Sequence, residues 1–273
     1  MSQSLEFSFN PAVVADLEPE LSRREALARS VPLHVATLRY GGSPRQKIDF
    51  YRPAMRPNPS VLLYFHGGYW HSGGPAQSAF VAGPFLTAGI SVAIAGYDLC
   101  PDVTLGTIVD EARAARDILL ANAAALGIDI ARIIISGSSA GAHLCAMLLQ
   151  DGASAWPLPP VASLVTGVYD IGPVLGLSIN ATLGLVAADI EPLSPLRRSA
   201  PIYCRRLLLA VGGEEPAPWQ AMSAAFAEKA RADGVPTEYV VFRGENHFSL
   251  TTAFGLKSHL LAQKTLALLA RSS

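Results

Sequence analysis

The stretch from Arg132 to Gln150 constrains the fold of this 273-residue chain more than any other part of it. The β-branched run Ile133-Ile134-Ile135 predicts a buried strand, and the apolar stretch from Ala140 to Gln150 predicts a helix. Between them lies Gly137-Ser138-Ser139-Ala140-Gly141, a G-x-S-x-G pattern. Its glycines allow strand and helix to approach without a Cβ clash. The pattern therefore predicts a very tight turn with Ser139 at its apex, in a strained backbone conformation.

Alternating strand and helix patterns extend over most of the chain. After a predicted hairpin of residues 34–40 and 46–51, apolar runs predict parallel strands buried on both faces. Helical stretches separate these runs, with Gly127 and Gly234 where C-terminal caps belong. We therefore expect a single α/β domain over residues 1–273, with one eight-stranded, mostly parallel sheet and helices on both faces. The predicted strands are 61–65, 91–95, 132–136, 161–166, 206–211 and 238–242, and the predicted helices are 77–88, 108–126, 140–150, 218–232 and 256–270.

Two segments lie outside this alternation. Residues 1–32 are polar and helix-prone, and Asn10-Pro11 has the form of a helix cap followed by a proline at the first helical position. Residues 169–200 form a long connection rich in glycine and proline that leaves the end of a predicted strand. Because ligands bind at the carboxyl ends of strands in such sheets, 169–200 is predicted to be a lid or pocket wall. The alternative is an excursion over the surface.

Composition excludes several function classes. Half of the residues are apolar and 16% are charged, which predicts a large core, and the net charge of −1 gives no sign of binding to nucleic acid or to a membrane. The arginine pairs are too short to form a basic patch and are predicted to be solvated. These pairs are Arg23-Arg24, Arg197-Arg198 and Arg205-Arg206.

Cysteine usage and the apolar segments bear on redox chemistry and location. Cys100, Cys145 and Cys204 are odd in number and lack C-x-x-C spacing, which argues against a disulfide framework or a thiolate metal site. The first ten residues contain no apolar signal region, and no apolar run reaches membrane-spanning length. A cytoplasmic location is therefore expected.

Ser139 could act as a nucleophile if the fold supplied a base and an acid to orient that base. His247 lies after the last predicted strand, in what we interpret as a loop, and is the candidate base. His143, four residues past the apex, is expected to pack or hydrogen-bond instead. Glu214, Glu215 and Asp170 all satisfy the chain order serine, acid, histidine, and the residue pattern does not choose among them.

A second glycine turn follows the predicted strand at 61–65. In His66-Gly67-Gly68-Tyr69-Trp70, two glycines allow successive backbone N–H groups to face one point, as an oxyanion requires. The adjacent Tyr69 and Trp70 could present aromatic surface to a small ligand, or they could belong to the core. We interpret Trp70 as a residue of the substrate pocket.

From about Ser30 to its end, the chain resembles α/β-hydrolases of the hormone-sensitive-lipase and arylformamidase branch. Residues 66–70 resemble the H-G-G-x-W motif of the arylformamidase-like members, and residues 137–141 match the serine turn of the family. Residues 97–101 resemble a tight loop of these proteins, and Ser194-Pro195-Leu196 is similar to the S-P-L that precedes their acid-bearing strand.

The resemblance also implies roles for single residues. In similar proteins the acid stands four residues after the valine of a V-G-x-x-[DE] segment, and that position is Glu215, although many relatives have aspartate there. The implied catalytic residues are Ser139, Glu215 and His247. The implied oxyanion donors are the backbone N–H groups of Gly68, Tyr69 and Ala140.

What the resemblance implies about activity is a serine hydrolase of small carboxylic esters or of N-formyl or aryl amides, acting through an acyl-enzyme. Neither a metal nor an organic cofactor is implied. The expected partner is a small-molecule substrate, and the family allows a homodimer, although no residue pattern marks an interface. The alternative is a non-catalytic small-molecule binding module on the same fold.

Overall fold

One mixed sheet of eight strands organises the chain in the computed structural model, which describes residues 2–32, 34–55 and 57–270. Met1 and 271–273, the ends of the predicted domain, lie outside the described residues. The strand order is β1-β2-β4-β3-β5-β6-β7-β8; β2 pairs antiparallel with both β1 and β4, and all other pairs are parallel. The strands are β1 (Ala36–Arg39), β2 (Lys47–Tyr51), β3 (Val61–Phe65), β4 (Ser91–Ala95), β5 (Ile133–Ser138), β6 (Val161–Val165), β7 (Arg206–Gly212) and β8 (Thr237–Phe242).

Helices cover both faces of the sheet because the central strands are apolar on both sides. In β3, Val61, Leu63 and Phe65 belong to one buried cluster, whereas Leu62 and Tyr64 belong to another. This division follows from the two-residue period of a strand. The α-helices are α1 (Ser2–Phe9), α2 (Pro11–Val14), α3 (Glu18–Arg29), α4 (Ala82–Thr87), α5 (Leu105–Ala121), α6 (Ala123–Leu126), α7 (Ala140–Leu149), α8 (Asn180–Leu183), α9 (Ala187–Leu193), α10 (Ala217–Ala232), α11 (His247–Ala253) and α12 (Leu260–Ala270).

The two clusters assign most long helices to a face. Helices α5, α7 and α10 contribute to the cluster that contains Leu63, and α4, α11 and α12 contribute to the one that contains Leu62. Short 3₁₀ segments complete the connections, at Ala76–Val81, Ile130–Arg132, Gly152–Ser154 and Gly172–Gly176. Among the described helices, none combines the length and apolar character needed to span a membrane.

The eight-stranded α/β sheet confirms the predicted fold class, and each parallel strand starts and ends within two residues of its predicted bounds. The predictions for helices and loops differ from the structure in four places. The predicted helix at 77–88 is a 3₁₀ segment over Ala76–Val81 followed by α4, and the predicted helix at 108–126 begins at Leu105 and is divided at Asn122 into α5 and α6. The last helix begins at Leu260 rather than at residue 256, and the predicted loop around His247 is the start of α11. The Asn246 side chain accepts hydrogen bonds from the N–H groups of Phe248 and Ser249, and it thereby caps α11.

The first thirty residues form helices that lie over the site described below. Asn10 caps α2, and its side chain accepts from the Ala12 N–H at 3.2 Å, as the Asn10-Pro11 pattern predicts. The hydroxyl of Tyr69 donates to the Phe9 carbonyl at 2.7 Å. Arg24 of α3 donates to Thr252 of α11 at 2.9 Å. Hydrogen bonds to loops and helices of the sheet therefore hold this segment in place.

Candidate active site

Ser139 occupies the apex of the turn between β5 and α7. Its φ of 53° and ψ of −119° are a conformation that non-glycine residues adopt only when the surroundings impose it. The Ser139 N–H donates to the carbonyl of Val165 on the neighbouring strand β6 at 2.9 Å. The strain predicted for this serine is present, and a buried backbone hydrogen bond holds it.

The glycines around Ser139 are required by close backbone contacts. A Cβ on Gly141 would lie 2.0 Å from the Phe65 carbonyl oxygen at the end of β3. A Cβ on Gly137 would lie 2.5 Å from the Gly141 carbonyl carbon. Helix α7 therefore begins directly against the end of β3. As a result, the loop that follows β3 lies beside the serine turn, where a Cβ on Gly67 would be 3.3 Å from Ser139 Cβ.

His247 and Glu215 form a buried hydrogen-bonded pair. His247 Nδ1 and Glu215 Oε2 are 2.9 Å apart, and both side chains are at most 5% exposed. The other carboxylate oxygen, Oε1, accepts from the Gly212 N–H at 2.8 Å. The Trp219 ring packs edge-on against the imidazole, with 4.9 Å between ring centroids. These contacts fix the imidazole orientation and favour the tautomer with the proton on Nδ1.

The structure separates the three carboxylates that the sequence left open. Glu214, adjacent to Glu215, is exposed and has no ion pair among the described residues. Asp170 binds Arg197 at 2.8 Å and accepts from the Gly172 N–H. Burial tends to raise the pKa of Asp170, but the hydrogen bonds from Arg197 and Gly172 outweigh it and lower that pKa. Of the three, only Glu215 contacts His247.

The loop after β3 carries the expected oxyanion donors. Gly68 has φ 116° and Tyr69 has φ 49°, so the backbone turns sharply at both residues. A Cβ on Gly68 would lie 2.2 Å from the Ser72 carbonyl oxygen, which leaves room only for glycine. Within the described part of the chain, the N–H groups of Gly68, Tyr69 and Ala140 have no acceptor. Three backbone donors are therefore free at the edge of the sheet beside Ser139.

Two buried histidines support this edge of the sheet from the protein interior. His66 donates to the Gly67 carbonyl at 2.7 Å and stacks on Tyr97 with 4.1 Å between centroids. His143 donates from Nε2 to the Leu193 carbonyl at 2.8 Å, in agreement with the expected packing or hydrogen-bonding role. Burial lowers the pKa of each to about 4. Both rings are therefore neutral near pH 7 and act as packing and positioning groups.

Ser139, His247 and the glycine loop after β3 line a common cavity of about 810 Å³. We use the name sheet edge for Gly67–Tyr69, Ser138–Gly141, Glu215 and His247; all of them except Ala140, Gly141 and Glu215 line the cavity. Ser139 and His247 both line the cavity, although no direct hydrogen bond joins the two side chains in the described structure. Such bonds are often long in empty sites and shorten when a substrate is bound.

The opposite wall comes from the N-terminal segment, in a part of the chain for which the sequence analysis predicted only helix. We call residues 10–28 the cover, and eight of them line the cavity. The predicted lid at 169–200 contributes Ile179 to the lining. The lining residues of the cover are Asn10, Pro11, Ala12, Leu17, Leu21, Arg24, Glu25 and Ala28.

Trp70 departs from its predicted role as a pocket residue. Its side chain is fully buried, it belongs to the core cluster, and it is absent from the described cavity lining. The indole packs edge-on against His143, with 5.0 Å between centroids. The positive φ of 57° at Trp70 turns its side chain away from the cavity that Tyr69 lines. Trp70 is therefore a core residue, which was the alternative to a pocket role in the sequence analysis.

Arg24 is the site residue that sequence reasoning missed, since the pair Arg23-Arg24 was expected to be solvated. Arg24 is partly buried and lines the cavity, whereas Arg23 is exposed and pairs with Glu20 at 3.0 Å. The sequence contains a signal for this difference. Leu17, Leu21, Arg24 and Ala28 follow the spacing of one helix face, and all four line the cavity.

The site offers no metal centre in the part of the chain that the structure describes. No group of three or more His, Cys, Asp or Glu side chains is placed to hold a metal ion. The three cysteines are free and buried. The polar groups at and beside the serine turn are a hydroxyl, an imidazole, a carboxylate and backbone N–H groups.

Comparison with known proteins agrees with this arrangement. The BD-FAE family model matches residues 48–154, a range that includes the loop after β3 and the serine turn and ends before Glu215 and His247. Kynurenine formamidase of Danio rerio is 28% identical over 255 residues, covering 90% of this chain and 85% of the relative. Kynurenine formamidase of Drosophila melanogaster is 27% identical over 260 residues, covering 85% and 84%.

The fold matches that of a solved esterase. The hyperthermophilic esterase of the archaeon Pyrobaculum calidifontis superposes with a TM-score of 0.76, covering 98% of this chain and 96% of the esterase chain. At 18% sequence identity, this similarity concerns the architecture of sheet and helices.

Proposed function

Because this chain is an α/β-hydrolase of the branch that contains the arylformamidases and the hormone-sensitive-lipase-like esterases, we propose that it uses Ser139 to hydrolyse small carboxylic esters or N-acyl aryl amides. The proposal assigns Ser139 as nucleophile, His247 as general base and Glu215 as the acid that orients the base. It assigns the oxyanion to the N–H groups of Gly68, Tyr69 and Ala140.

One observation carries the proposal: a strained serine, a histidine paired with a buried carboxylate and a glycine loop with free backbone N–H groups all line one cavity. One carboxylate oxygen of Glu215 accepts a hydrogen bond from the Gly212 N–H, and the other accepts one from His247 Nδ1. With Nδ1 protonated, His247 Nε2 is left as an acceptor for the serine proton. A binding module would have no need for this arrangement, which favours catalysis over the alternative reading.

The proposed reaction begins when Ser139 Oγ attacks the carbonyl carbon of the substrate and His247 Nε2 takes the hydroxyl proton. Glu215 stabilises the resulting imidazolium through its hydrogen bond to Nδ1. The negative charge forms on the carbonyl oxygen, where the free N–H groups receive it. Each such donor contributes a factor of roughly 10²–10³ to the rate.

The second half of the reaction uses the same groups. The imidazolium of His247 returns its proton to the leaving alcohol or amine, and the acyl group stays on Ser139 as an ester. A water molecule then attacks that ester while His247 again acts as base. The products are a carboxylic acid, or formic acid from a formamide, together with the alcohol or amine.

The substrate can be narrowed further by experiment. A cavity of about 810 Å³ accepts a ligand of the size of an aryl ester or an aryl formamide. Turnover of N-formylkynurenine compared with p-nitrophenyl acetate separates an arylformamidase from a short-acyl carboxylesterase. Protein that hydrolyses the ester and leaves the formamide intact would exclude the arylformamidase assignment.

Labelling with a fluorophosphonate tests the nucleophile directly. The probe should modify the native protein, and Ser139→Ala should abolish the labelling. Ser138 is the matched control, because it is adjacent in sequence and also lines the cavity, but its hydroxyl bonds to Tyr64 at 3.0 Å. Ser138→Ala should therefore remain labelled. A native protein that resists the probe would instead favour the binding-module reading.

Two further predictions concern the assembly of the protein and its location. A homodimer and a cytoplasmic location stay predictions, which sedimentation equilibrium and fractionation of the source cells would respectively check.

A further inference from the structure

Arg24 carries a positive charge into the cavity without a protein carboxylate to balance it. Its guanidinium donates from Nε to Thr252 Oγ1 and from Nη2 to the Phe248 carbonyl, both at 2.9 Å. The guanidinium carbon also lies 5.3 Å from the centroid of the Phe80 ring. These contacts use two of its five N–H donors, and no carboxylate lies within ion-pair distance among the described residues.

Neighbouring acids on the same helix are already engaged. Glu20 pairs with Arg23 at 3.0 Å, and Glu25 pairs with Arg29 at 2.8 Å. Glu25 also borders the cavity, but its side chain is 67% exposed. The charge of Glu20 still acts on Arg24 from a distance, but among the described residues Arg24 has no carboxylate within ion-pair distance.

The contacts of Arg24 also fix its place relative to the chemistry. Phe248 directly follows His247, and Thr252 lies about one turn further along α11. Arg24, Ser139 and His247 line the same cavity. The remaining guanidinium donors are thus held in the chamber where Ser139 would meet a substrate.

An unpaired and partly buried guanidinium is costly, since burial removes water that would solvate the charge. Burial lowers the pKa of Arg24, which reflects this cost. Hydrophobic residues of the cover flank it on the same helix face, so a non-polar side chain would fit the local pattern. A ligand that brings a negative charge would recover the cost through charge-assisted hydrogen bonds.

We propose that Arg24 is a specificity-determining residue that binds a carboxylate on the substrate, placed away from the carbonyl that Ser139 attacks. The inference rests on the proposed hydrolase function and narrows its substrates to acyl compounds that carry a carboxylate. Arg24 is the one arginine or lysine that lines the cavity among the described residues. A single guanidinium balances a monoanion, which favours a carboxylate over a phosphate dianion.

Paired substrates test this inference, with the carboxylate on either side of the scissile bond. One pair is mono-p-nitrophenyl adipate and p-nitrophenyl hexanoate; the other is para-acetoxyphenylacetate and its amide, para-acetoxyphenylacetamide. The native protein should prefer the carboxylate member of at least one pair. Arg24→Gln should lower the ratio of kcat/KM between the charged and neutral members by roughly 10- to 100-fold, the range for a hydrogen bond to a charged group. The loss should lie mainly in KM, since the carboxylate is bound equally before and during the reaction.

Two further variants control for charge and for folding. Arg24→Lys keeps a positive charge and should retain part of the preference. Arg23→Gln removes the neighbouring arginine, which does not line the cavity, and should leave the ratio unchanged. A native protein without preference in either pair, or an Arg24→Gln variant with the native ratio, would overturn the inference.

A binding measurement keeps this inference separate from the proposed function. Isothermal titration of the charged and neutral members of both pairs into the Ser139→Ala protein, which cannot form the acyl-enzyme, should show that at least one charged member binds more tightly than its neutral partner and that Arg24→Gln removes this difference. If fluorophosphonate labelling and turnover both fail while this difference persists, the hydrolase assignment is wrong and the carboxylate site stands. If labelling succeeds and the difference is absent, the carboxylate site is wrong and the hydrolase assignment stands.

Discussion

The two walls of the cavity are built in different ways. The sheet edge consists of backbone held by buried contacts: Gly141 lies against Phe65, and Glu215 is fixed by Gly212. The cover consists of helices whose side chains are mostly exposed or part-exposed, and it is held by single hydrogen bonds such as Arg24 to Thr252 and, at the adjacent residue, Tyr69 Oη to Phe9.

This difference separates two tasks. Groups that must meet a reacting carbonyl within tenths of an ångström lie where the backbone cannot move. Groups that choose among ligands lie on helices where a side chain can change at small cost to the core. We expect substitutions at the sheet edge to affect kcat and global stability, and substitutions in the cover to affect KM and ligand choice.

The largest effect expected at the sheet edge comes from Glu215→Gln. The Gly212 N–H needs an oxygen acceptor, so it should hold the amide oxygen and turn the amide NH₂ towards His247 Nδ1. His247 would then carry its proton on Nε2 and could not accept one from Ser139. We expect kcat to fall by roughly 10³–10⁴-fold, the range for loss of the correct tautomer.

Glu214→Gln is the matched control for this substitution, because Glu214 is adjacent and exposed. Steady-state kinetics on p-nitrophenyl acetate should show kcat within about twofold of native, as for a surface change away from the site. A severe loss in Glu214→Gln together with a mild one in Glu215→Gln would reverse the assignment of the acid.

A second test concerns stability in acid, which should be limited by the two buried histidines that support the sheet edge. His66 and His143 have pKa values lowered by burial to about 4, so the unfolded chain binds protons that the folded chain refuses between about pH 6.5 and 4. Stability should therefore be fully present above pH 6.5 and fall as the pH drops. The loss is on the order of 3 kcal/mol per histidine at pH 4.

Urea unfolding at a series of pH values checks this expectation. His143→Gln can keep the hydrogen bond to the Leu193 carbonyl but cannot bind a proton, so its stability should depend less steeply on pH. Equal slopes in the native and His143→Gln proteins would show that this ring does not limit acid stability.

The smallest effects expected compare the two walls with the same chemical change, the removal of one tyrosine hydroxyl. Tyr97→Phe deletes the bond to the His66 carbonyl beneath the loop after β3, and Tyr69→Phe deletes the bond to Phe9 in the N-terminal segment. Both bonds are 2.7 Å long, and each loss should cost about 1 kcal/mol of unfolding free energy.

The kinetic consequences of this pair should differ even though the cost is similar. Tyr97→Phe should lower kcat, because the loop bears the oxyanion donors. Tyr69→Phe keeps the backbone N–H of the sheet edge and deletes only the side-chain bond to Phe9, next to the cover, so it should raise KM. The measurement is the split between kcat and KM on one neutral ester. The same split in both variants would mean that the two walls do not divide their tasks as argued above.

Much of the fold could be read from local sequence. Runs such as Ile133-Ile134-Ile135 are short, β-branched and apolar on both faces, which favours a buried strand over a helix, and the bounds of the parallel strands agree with the prediction within two residues. The helix that begins at His247 was not predicted, because the residues that start it are polar and are also typical of a loop. They are the cap Asn246 and its hydrogen-bond partner Ser249. Side-chain burial was harder still, since Tyr69 and Trp70 are neighbours with opposite fates.

The sequence by itself determined the serine turn, the glycine loop and the positions of the strands along the chain, because each of these has a local residue pattern. The residue pattern left three carboxylates open and the family resemblance pointed to Glu215, whereas its contact with His247, the burial of Trp70 and the lack of an ion pair at Arg24 are properties of the tertiary structure. Each of these depends on which distant groups arrive beside it: His247 at 2.9 Å from Glu215, His143 against Trp70, and Phe248 and Thr252 at Arg24. Local pattern sets the backbone, whereas burial and pairing of charge are properties of the assembled fold.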